Sequence, residues 1–272
     1  MTWIALRITP ESNRDGVIAA LFQSGSQGVQ EDGASVVTHF PADARISDIR
    51  AAVISADPRA DISIGESPDA DYSQWRASVS SHQVGELVIA PPWLASQSDP
   101  RRTVIVDPAM AFGTGEHPTT RGAMRLMQDV IRSGDVVADL GAGSAVLSIA
   151  AIKLGAARVA AVEIDPDSIG NAEENIRANG VTEQVEVIEG DAATLLPLLA
   201  PVRVILANIL SSVITPLLPV MKESLAPAGQ AIISGMLLDE RDAMLAALRD
   251  GDWVLEREDT EDAWWSAQIA PR

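Results

Sequence analysis

Cysteine is absent from the 272 residues of this sequence. The absence excludes disulfide bonds, thiolate nucleophiles and cysteine zinc sites. Basic residues are also scarce, with 20 Lys and Arg against 38 Asp and Glu and a formal net charge of −18. Because affinity for a phosphate backbone comes mainly from clusters of Lys and Arg, we expect no direct binding of nucleic acid. The charge is compatible with a basic macromolecular partner, although solubility alone explains it more simply.

Long apolar runs are missing as well. The longest candidate, residues 148–162, falls short of the roughly 18 residues of a membrane span and is interrupted by Lys153, Gly155 and Arg158. The first residues, MTWIALRIT, lack a basic segment followed by an apolar core, so we expect no secretory signal. The histidines show no metal-ligand spacing, and no metal site is expected. These features predict a soluble, cytoplasmic monomer without membrane contact.

The order of the predicted elements divides the chain into two domains and a linker. Residues 1–66 alternate as β-α-β-β-α-β, which is the ferredoxin-like α+β pattern. Residues 67–98 concentrate Ser, Pro and Asp around one strand and are interpreted as a linker with some structure of its own. Residues 99–272 alternate strand and helix, which predicts an α/β fold with a parallel sheet covered on both faces. Segments 253–259 and 264–270 follow each other without a helix and predict an antiparallel hairpin at the sheet edge.

A glycine-rich loop, GAGSA at residues 141–145, lies between a predicted strand and a predicted helix. Gly141 and Gly143 allow the backbone to approach a ligand closely, and the helix presents free N–H groups. A glycine-rich turn that merely joins a strand to a helix would look the same. Glu163 adds a second signal, because an acid at the end of the next strand, roughly 20 residues later, can accept hydrogen bonds from both ribose hydroxyls. Both NAD and S-adenosylmethionine contain such a ribose.

Three details favour S-adenosylmethionine over a dinucleotide. Val146 occupies the third glycine position of the dinucleotide motif. Asp139 lies two residues before the loop, where a carboxylate could meet the α-amino group of a methionine moiety but would repel a diphosphate. The closing antiparallel hairpin is typical of class I methyltransferases. The predicted fold class is therefore a Rossmann-like methyltransferase domain preceded by a small ferredoxin-like domain.

Two further strand ends offer candidate contacts. Asp191 follows the third strand and could accept from an adenine amino group, or equally could cap the next segment. Asn208 follows the fourth strand, at the sheet edge where open α/β sheets bind ligands. Asparagine also favours such turns, but we prefer a functional role because this strand is predicted beside the glycine loop. The sequence has no Asn-Pro-Pro-Tyr at this point, which argues against methylation of amides or of adenine amines.

At this stage the sequence resembles a known family, the ribosomal protein L11 methyltransferases (PrmA). Members have a loop similar to FGTGEHPTT, here residues 112–120, and an Ala-Asn-[Ile/Leu]-Leu stretch, here residues 207–210. The intervening DLGAGSAVLSIAAIKLGA, residues 139–156, is similar almost throughout. Trp75 with VGELVIAPPW, residues 84–93, and the small N-terminal domain also resemble this family.

The resemblance implies a function for each part of the chain. The N-terminal domain would hold a basic ribosomal protein, L11, the linker would let it swing, and the second domain would methylate lysine and N-terminal amines from S-adenosylmethionine. The implied cofactor contacts are Thr120, Gly141, Glu163 and Asn208. The sequence departs from the family at Ala145, where glycine is usual, and at Glu163, which is one methylene longer than the more common aspartate.

The FGTGEHPTT loop also has a physical interpretation. Methyl transfer to a neutral amine is an in-line displacement, so the protein must mainly position the reactants. The glycines around Thr114 could let the loop fold over the methyl group, and Phe112 could face the sulfonium or simply pack in the core. His117 could relay the proton that the amine loses, or could be a loop histidine near a helix end. The predicted catalytic residues are Phe112, Thr114, His117 and Asn208, whereas Thr120 is a candidate helix cap or cofactor contact.

Other functions remain open at the level of sequence. A methyltransferase of the same build could act on another protein or on a small molecule, although the separate N-terminal domain favours a macromolecule. A catalytically silent binding module is a third possibility, which the intact glycine loop, Glu163 and Asn208 argue against. An NAD-dependent oxidoreductase fits least well.

Overall fold

The computed structural model describes residues 3–26, 29–41, 44–66, 80–107, 115 and 117–272. The chain divides into two compact units, Met1–Ser78 and Val79–Arg272. Within the described residues, no helix has both the length and the apolar character that a membrane span requires.

The first unit is a four-stranded antiparallel sheet with two helices. Its strand order is β2-β3-β1-β4. Alternate residues of the strands, such as Leu6 and Ile8, form one buried core with Val17 and Leu21 of the first helix and with Val53 of the second. The elements are β1 (Trp3–Thr9), α1 (Arg14–Gln23), β2 (Val29–Asp32), β3 (Ser35–Pro41), α2 (Ile46–Ala56) and β4 (Asp61–Glu66).

A buried aspartate joins the two helices of this unit. Asp57 follows α2 and is fully buried. One of its carboxylate oxygens accepts hydrogen bonds from the backbone N–H groups of Glu11, Ser12 and Asn13, at 2.7 to 3.0 Å. The segment that leads into α1 is therefore anchored to the end of α2.

The second unit contains a seven-stranded sheet of order β10-β9-β8-β11-β12-β14-β13. Strands β8 to β12 are parallel, and β14 runs antiparallel to both β12 and β13. The predicted closing hairpin is therefore confirmed. The elements are β5 (His82–Val84), β6 (Leu87–Ala90), β7 (Thr103–Ile105), α3 (Pro118–Met127), β8 (Val136–Leu140), α4 (Val146–Lys153), β9 (Arg158–Glu163), α5 (Pro166–Ala178), β10 (Val185–Glu189), α6 (Ala192–Leu199), β11 (Val202–Asn208), α7 (Ser211–Ser224), β12 (Leu225–Leu237), α8 (Arg241–Asp250), β13 (Trp253–Glu261) and β14 (Trp264–Pro271).

Each face of the large sheet supports its own core. Val137 of β8 belongs to a cluster with residues of α3, α4 and α5, whereas Ala138 and Leu140 belong to a cluster with residues of α6, α7 and α8. Side chains alternate between the two faces of a strand, so a strand covered on both sides is apolar along most of its length. This is the predicted Rossmann-like α/β architecture.

Residues 80–98 of the predicted linker contain two strands, β5 and β6, where one strand was expected. Strand β5 pairs with β6, and β6 pairs with β7 in the second unit. The rest of the predicted linker, residues 67–79 with Trp75, lies outside the described residues. Helix α6 was not predicted, because it is short and has Pro197 inside it.

Candidate functional site

A cavity of about 680 Å³ opens at the carboxyl ends of the parallel strands. Its wall includes Gly141 after β8, Glu163 at the end of β9, Asp191 after β10 and Asn208 at the end of β11. Ligands of open α/β sheets bind at this edge, where the loops after neighbouring strands meet. His117, at the start of α3, lines the same cavity.

The glycine loop presents bare backbone to the cavity. Gly141 and Gly143 have φ angles of +71° and +53°, in the region that side chains disfavour. A Cβ atom at Gly141 would lie 2.4 Å from Cγ2 of Ile209, so this position has no room for a side chain. Ala145 also has a positive φ, of +61°, at the N-cap of α4. The positive φ angles and the close packing of Ile209 therefore explain why glycine is needed at 141.

Glu163 is held in place by backbone donors. Its Oε2 accepts from the N–H of Gly143 at 2.7 Å, and its Oε1 accepts from the N–H groups of Ile164 and Asp165 at 2.9 Å each. An ionised carboxylate offers about four acceptor positions, so capacity remains for a hydroxyl donor. The fixed, mostly buried carboxylate at the cavity wall fits the predicted contact with a ribose.

Asn208 shows an unsatisfied polar group at the cavity. Its Nδ2 donates to Oγ1 of Thr120 at 3.3 Å, while its Oδ1 is buried and has no hydrogen-bond partner among the described residues. A buried acceptor without a partner costs free energy, which a ligand donor would recover. Thr120 itself is fully buried and does not line the cavity. Thr120 therefore contacts the side chain of Asn208 from the side away from the cavity wall, and its hydrogen bond orients the amide.

Asp139 is buried and is not one of the residues that line the cavity. Its Oδ2 accepts a hydrogen bond from Oγ of Ser148 at 2.6 Å. Burial raises the pKa of Asp139 to about 6, and the charge of Glu163 acts in the same direction. In the structure this acid supports the helix after the glycine loop, and its contact with an α-amino group stays a prediction.

Asp191 caps a helix and also lies at the cavity, so the structure is compatible with both interpretations of the sequence. It is the N-cap of α6, because its Oδ2 accepts from the N–H of Thr194 at 3.0 Å and from Oγ1 of Thr194 at 2.9 Å. It also lines the cavity. Capping therefore does not remove Asp191 from the site, and its contact with adenine stays a prediction.

His117 and Trp264 meet at one side of the cavity. Their ring centroids lie 4.6 Å apart with an interplanar angle of 68°, an edge-to-face contact. Nδ1 of His117 lies 2.7 Å from Oγ1 of Thr119 and accepts from the Thr119 N–H, so the ring caps α3. Burial lowers the pKa of His117 and the positive charge of Arg121 lowers it further. The imidazole is therefore neutral at neutral pH, and when Nδ1 accepts from the Thr119 N–H the proton of the neutral ring lies on Nε2.

The other two predicted catalytic residues, Phe112 and Thr114, lie outside the described residues. Conversely, sequence reasoning did not single out several residues of the cavity wall, among them Ile164, Leu210 and Trp264. Ile164 and Leu210 are large apolar side chains with exposures of 67% and 66% at the cavity, and Trp264 contributes its ring. Ile164 could have been found, since it directly follows the acid at a strand end. Trp264 could not, because its position depends on how the closing hairpin packs against α3.

A mostly parallel seven-stranded sheet with β14 reversed, a glycine loop after β8 and an acid at the end of β9 define a Rossmann-like domain of the class I methyltransferase type. A family model described as ribosomal protein L11 methyltransferase (PrmA) matches residues 3–271. The chain therefore belongs to this family.

Individual relatives agree with the family match. Proteins named ribosomal protein L11 methyltransferase from Synechococcus sp. (strain RCC307) and Symbiobacterium thermophilum are 36% and 35% identical over 72% of this chain. The matched segment spans 67% and 64% of those proteins. The protein of that name from Thermus thermophilus is 33% identical over 89% of this chain and 93% of its own length.

Solved structures show the same fold. The ribosomal protein L11 methylase from Lactobacillus delbrueckii subsp. bulgaricus has a TM-score of 0.65 and 29% identity, and the match covers 71% of this chain and all of that one. The tRNA m1G37 methyltransferase of M. jannaschii, at 15% identity and a TM-score of 0.51, covers 98% of both chains and is similar in fold alone.

Proposed function

We propose that this protein transfers methyl groups from S-adenosylmethionine to lysine side-chain and N-terminal amines of ribosomal protein L11 in the cytoplasm. The observation that carries the proposal is the family match over residues 3–271, which includes both units of the chain. The net charge of −18 suits a basic protein substrate and disfavours direct contact with nucleic acid.

The residues of the cavity fit S-adenosylmethionine. Glu163 has acceptor capacity for one more donor, such as a ribose hydroxyl, and Asn208 Oδ1 is a buried acceptor that still needs a donor. Gly141 and Gly143 line the cavity without side chains, and the exposed side chain of Ile164 gives an apolar surface for a base. When bound, the cofactor would supply an electrophilic methyl group on a sulfonium.

The contribution of the chain to the chemistry is positioning and proton acceptance. An amine must be neutral to act as a nucleophile, so a substrate ammonium group must first lose a proton. His117 lies at the cavity and is neutral at neutral pH. In the tautomer in which Nδ1 donates to Oγ1 of Thr119, its Nε2 is unprotonated and is suited to receive that proton. The edge-to-face contact with Trp264 helps to hold the ring in this orientation.

The proposal is tested by measuring release of S-adenosylhomocysteine from S-adenosylmethionine, with and without unmodified L11 from the same organism. We expect release that depends on L11 and saturates with it, and no change in NAD under the same conditions. Binding of S-adenosylmethionine without L11-dependent release would retain the cofactor and reject the substrate. Absence of binding would reject the methyltransferase proposal for this chain.

A further inference from the structure

Four charged side chains form a continuous network between α3 and β13. Arg125 donates from Nε to Asp259 Oδ1 at 2.8 Å, and from Nη2 to Asp259 Oδ2 at 2.6 Å and to Glu261 Oε2 at 2.7 Å. Arg121 donates from Nε to Glu261 Oε1 at 2.9 Å and contacts the same oxygen through Nη2. The network has two positive and two negative groups. All four side chains are mostly buried, with exposures between 18% and 34%.

Arg121 makes a backbone contact that Arg125 does not make among the described residues. Its Nη1 donates to the backbone carbonyl oxygen of Gly115 at 3.1 Å. Gly115 has a φ angle of +86°, and a Cβ atom there would lie 2.6 Å from Cδ1 of Ile89. The backbone of Gly115 is therefore confined by Ile89 and held by Arg121. Because His117 is only two residues further along the chain, this contact fixes the approach to the start of α3.

On the β13 side, the network lies next to Trp264, the aromatic residue of the cavity wall that contacts His117. Glu261 is the register partner of Trp264 in the β13–β14 hairpin. Trp264 in turn makes the ring contact with His117. Arg121 thus connects, through one guanidinium, the segment that carries His117 and the hairpin that carries Trp264.

We propose that Arg121 is a positioning residue for methyl transfer, which holds the Gly115 carbonyl and Glu261 together so that His117 and Trp264 keep their geometry at the cavity. The inference rests on the proposed function. A guanidinium suits this role because its planar, forked donors can serve a carboxylate and a carbonyl at once. The hydrogen bonds of Glu163 and Asn208 go to other residues, so the cofactor contacts do not depend on Arg121 directly.

The chain offers a matched control for the test. Arg121→Gln and Arg125→Gln remove the same charge from the same helix, and both break a bond to Glu261. Only the first also releases Gly115. For wild type and both variants, kcat and KM with L11, the Kd for S-adenosylmethionine and the melting temperature are measured in the full chain.

We expect both variants to melt at a lower temperature than wild type. Arg121→Gln should lower kcat by roughly 10- to 100-fold, since a misplacement of about 1 Å far from the reacting atoms can have an effect of this size. Its Kd for S-adenosylmethionine should stay within twofold of wild type, whereas Arg125→Gln should keep kcat within about threefold. Arg121→Lys, which retains the charge and can serve one partner at a time, should restore part of the lost kcat.

Three results would overturn the inference. Equal losses of kcat in the two glutamine variants would mean that the network contributes only to stability. A tenfold weaker Kd for S-adenosylmethionine in Arg121→Gln would place its effect at the cofactor. Arg121→Gln could also fail to fold. If Arg121→Lys then had the kcat of the wild-type protein, Arg121 would contribute only its positive charge. A wild-type protein that transfers no methyl group to L11 would instead reject the proposed function itself.

Discussion

Glu163 gives the sharpest residue-scale prediction about the cofactor. Its carboxylate is fixed by three backbone N–H groups and lines the cavity. Glu163→Gln places an amide among those donors, and a hydrogen bond to a charged group contributes about 1.5–3 kcal/mol. We expect S-adenosylmethionine to bind roughly 10- to 100-fold more weakly in calorimetry. Glu189→Gln is the control, because Glu189 ends the neighbouring strand in register with Glu163 but does not line the cavity.

If the wild-type protein and Glu163→Gln bound S-adenosylmethionine with equal affinity, the predicted contact between Glu163 and the ribose would be wrong. Equal weakening in the Glu189 control would show an effect of charge alone.

Thr120 and Asn208 should contribute unequally to cofactor binding. Asn208 lines the cavity with a buried, unpaired Oδ1, whereas Thr120 acts through its hydrogen bond to Nδ2. Asn208→Leu should therefore weaken S-adenosylmethionine binding more than Thr120→Val, and the double variant should lose less than the sum of the two. Calorimetry of the three variants checks this. Additive losses would indicate that the two residues act independently.

His117 predicts a pH dependence with a definite sign. Burial, followed by the charge of Arg121, holds the pKa of His117 below its usual value of 6.5. The proton-accepting form therefore prevails at pH 7 and above, and it is lost only as the pH falls through this lowered pKa. His117→Asn retains a good N-cap but has no basic nitrogen, so kcat should fall by roughly 100-fold.

The pH effect is isolated by the ratio of wild-type to His117→Asn kcat, since ionisation of the substrate amine cancels in it. The ratio should be flat from pH 7 to pH 9 and should decrease below about pH 6.5. A ratio near one at every pH would leave His117 with only its capping role.

Several candidate site residues could be assigned to one edge of the sheet from the sequence, for a physical reason. Gly141, Glu163, Asp191 and Asn208 each follow or end a parallel strand, and such strand ends meet at one edge. They all line one cavity, although their individual roles stay predictions. The side-chain environment of Asp139 could not be read from the sequence, because burial of a strand-end acid depends on packing across elements.

At the scale of elements, Asp57 links the segment before α1 to the end of α2 in the first unit. Hydrogen bonds from the Ser12 and Asn13 backbone hold the pKa of this carboxyl well below its usual range. Because the pKa is lowered in the folded state, the stabilisation is present at neutral pH and is lost as the pH falls below about 4. Asp57→Asn should reduce hydrogen-exchange protection of α1 and α2.

The control for this prediction is Asp61→Asn, at an exposed position of β4. The difference in protection between the wild-type protein and Asp57→Asn should narrow below about pH 4. Equal protection in the two variants at pH 7 would contradict the anchoring role of Asp57.

The bounds of a strand could be predicted where the local sequence signals agreed with each other. They could not be predicted where packing between elements determined them. The sequence predicts strands at residues 136–140 and 185–189, and β8 and β10 have these bounds, since each is followed directly by a glycine. The sequence predicts the next but one strand at residues 230–234, whereas β12 begins at Leu225, because the segment around Pro227 and Gly229 has the composition of a turn. It nevertheless pairs with β11, with a register shift between Val202 and Val204.

At the scale of the whole molecule, a methyltransferase unit follows a first unit. We interpret this first unit as the part that recognises the protein substrate. The sequence predicted two domains, and the structure has two compact units. The substrate role of the first unit rests on the family resemblance and stays a prediction. Charge is the whole-molecule property that supports it, because a net charge of −18 attracts a basic protein over distances up to about 10 Å at moderate ionic strength.

The measurement that tests the central claim most directly is mass spectrometry of unmodified L11 after incubation with this protein and S-adenosylmethionine. The account predicts that the intact mass of L11 increases by whole methyl groups, and that peptide mapping places them on lysine side chains or on the N-terminal amine. A parallel reaction with Asn208→Leu should show a markedly lower yield. An unchanged mass of L11 under conditions in which the wild-type protein binds S-adenosylmethionine would contradict the claim.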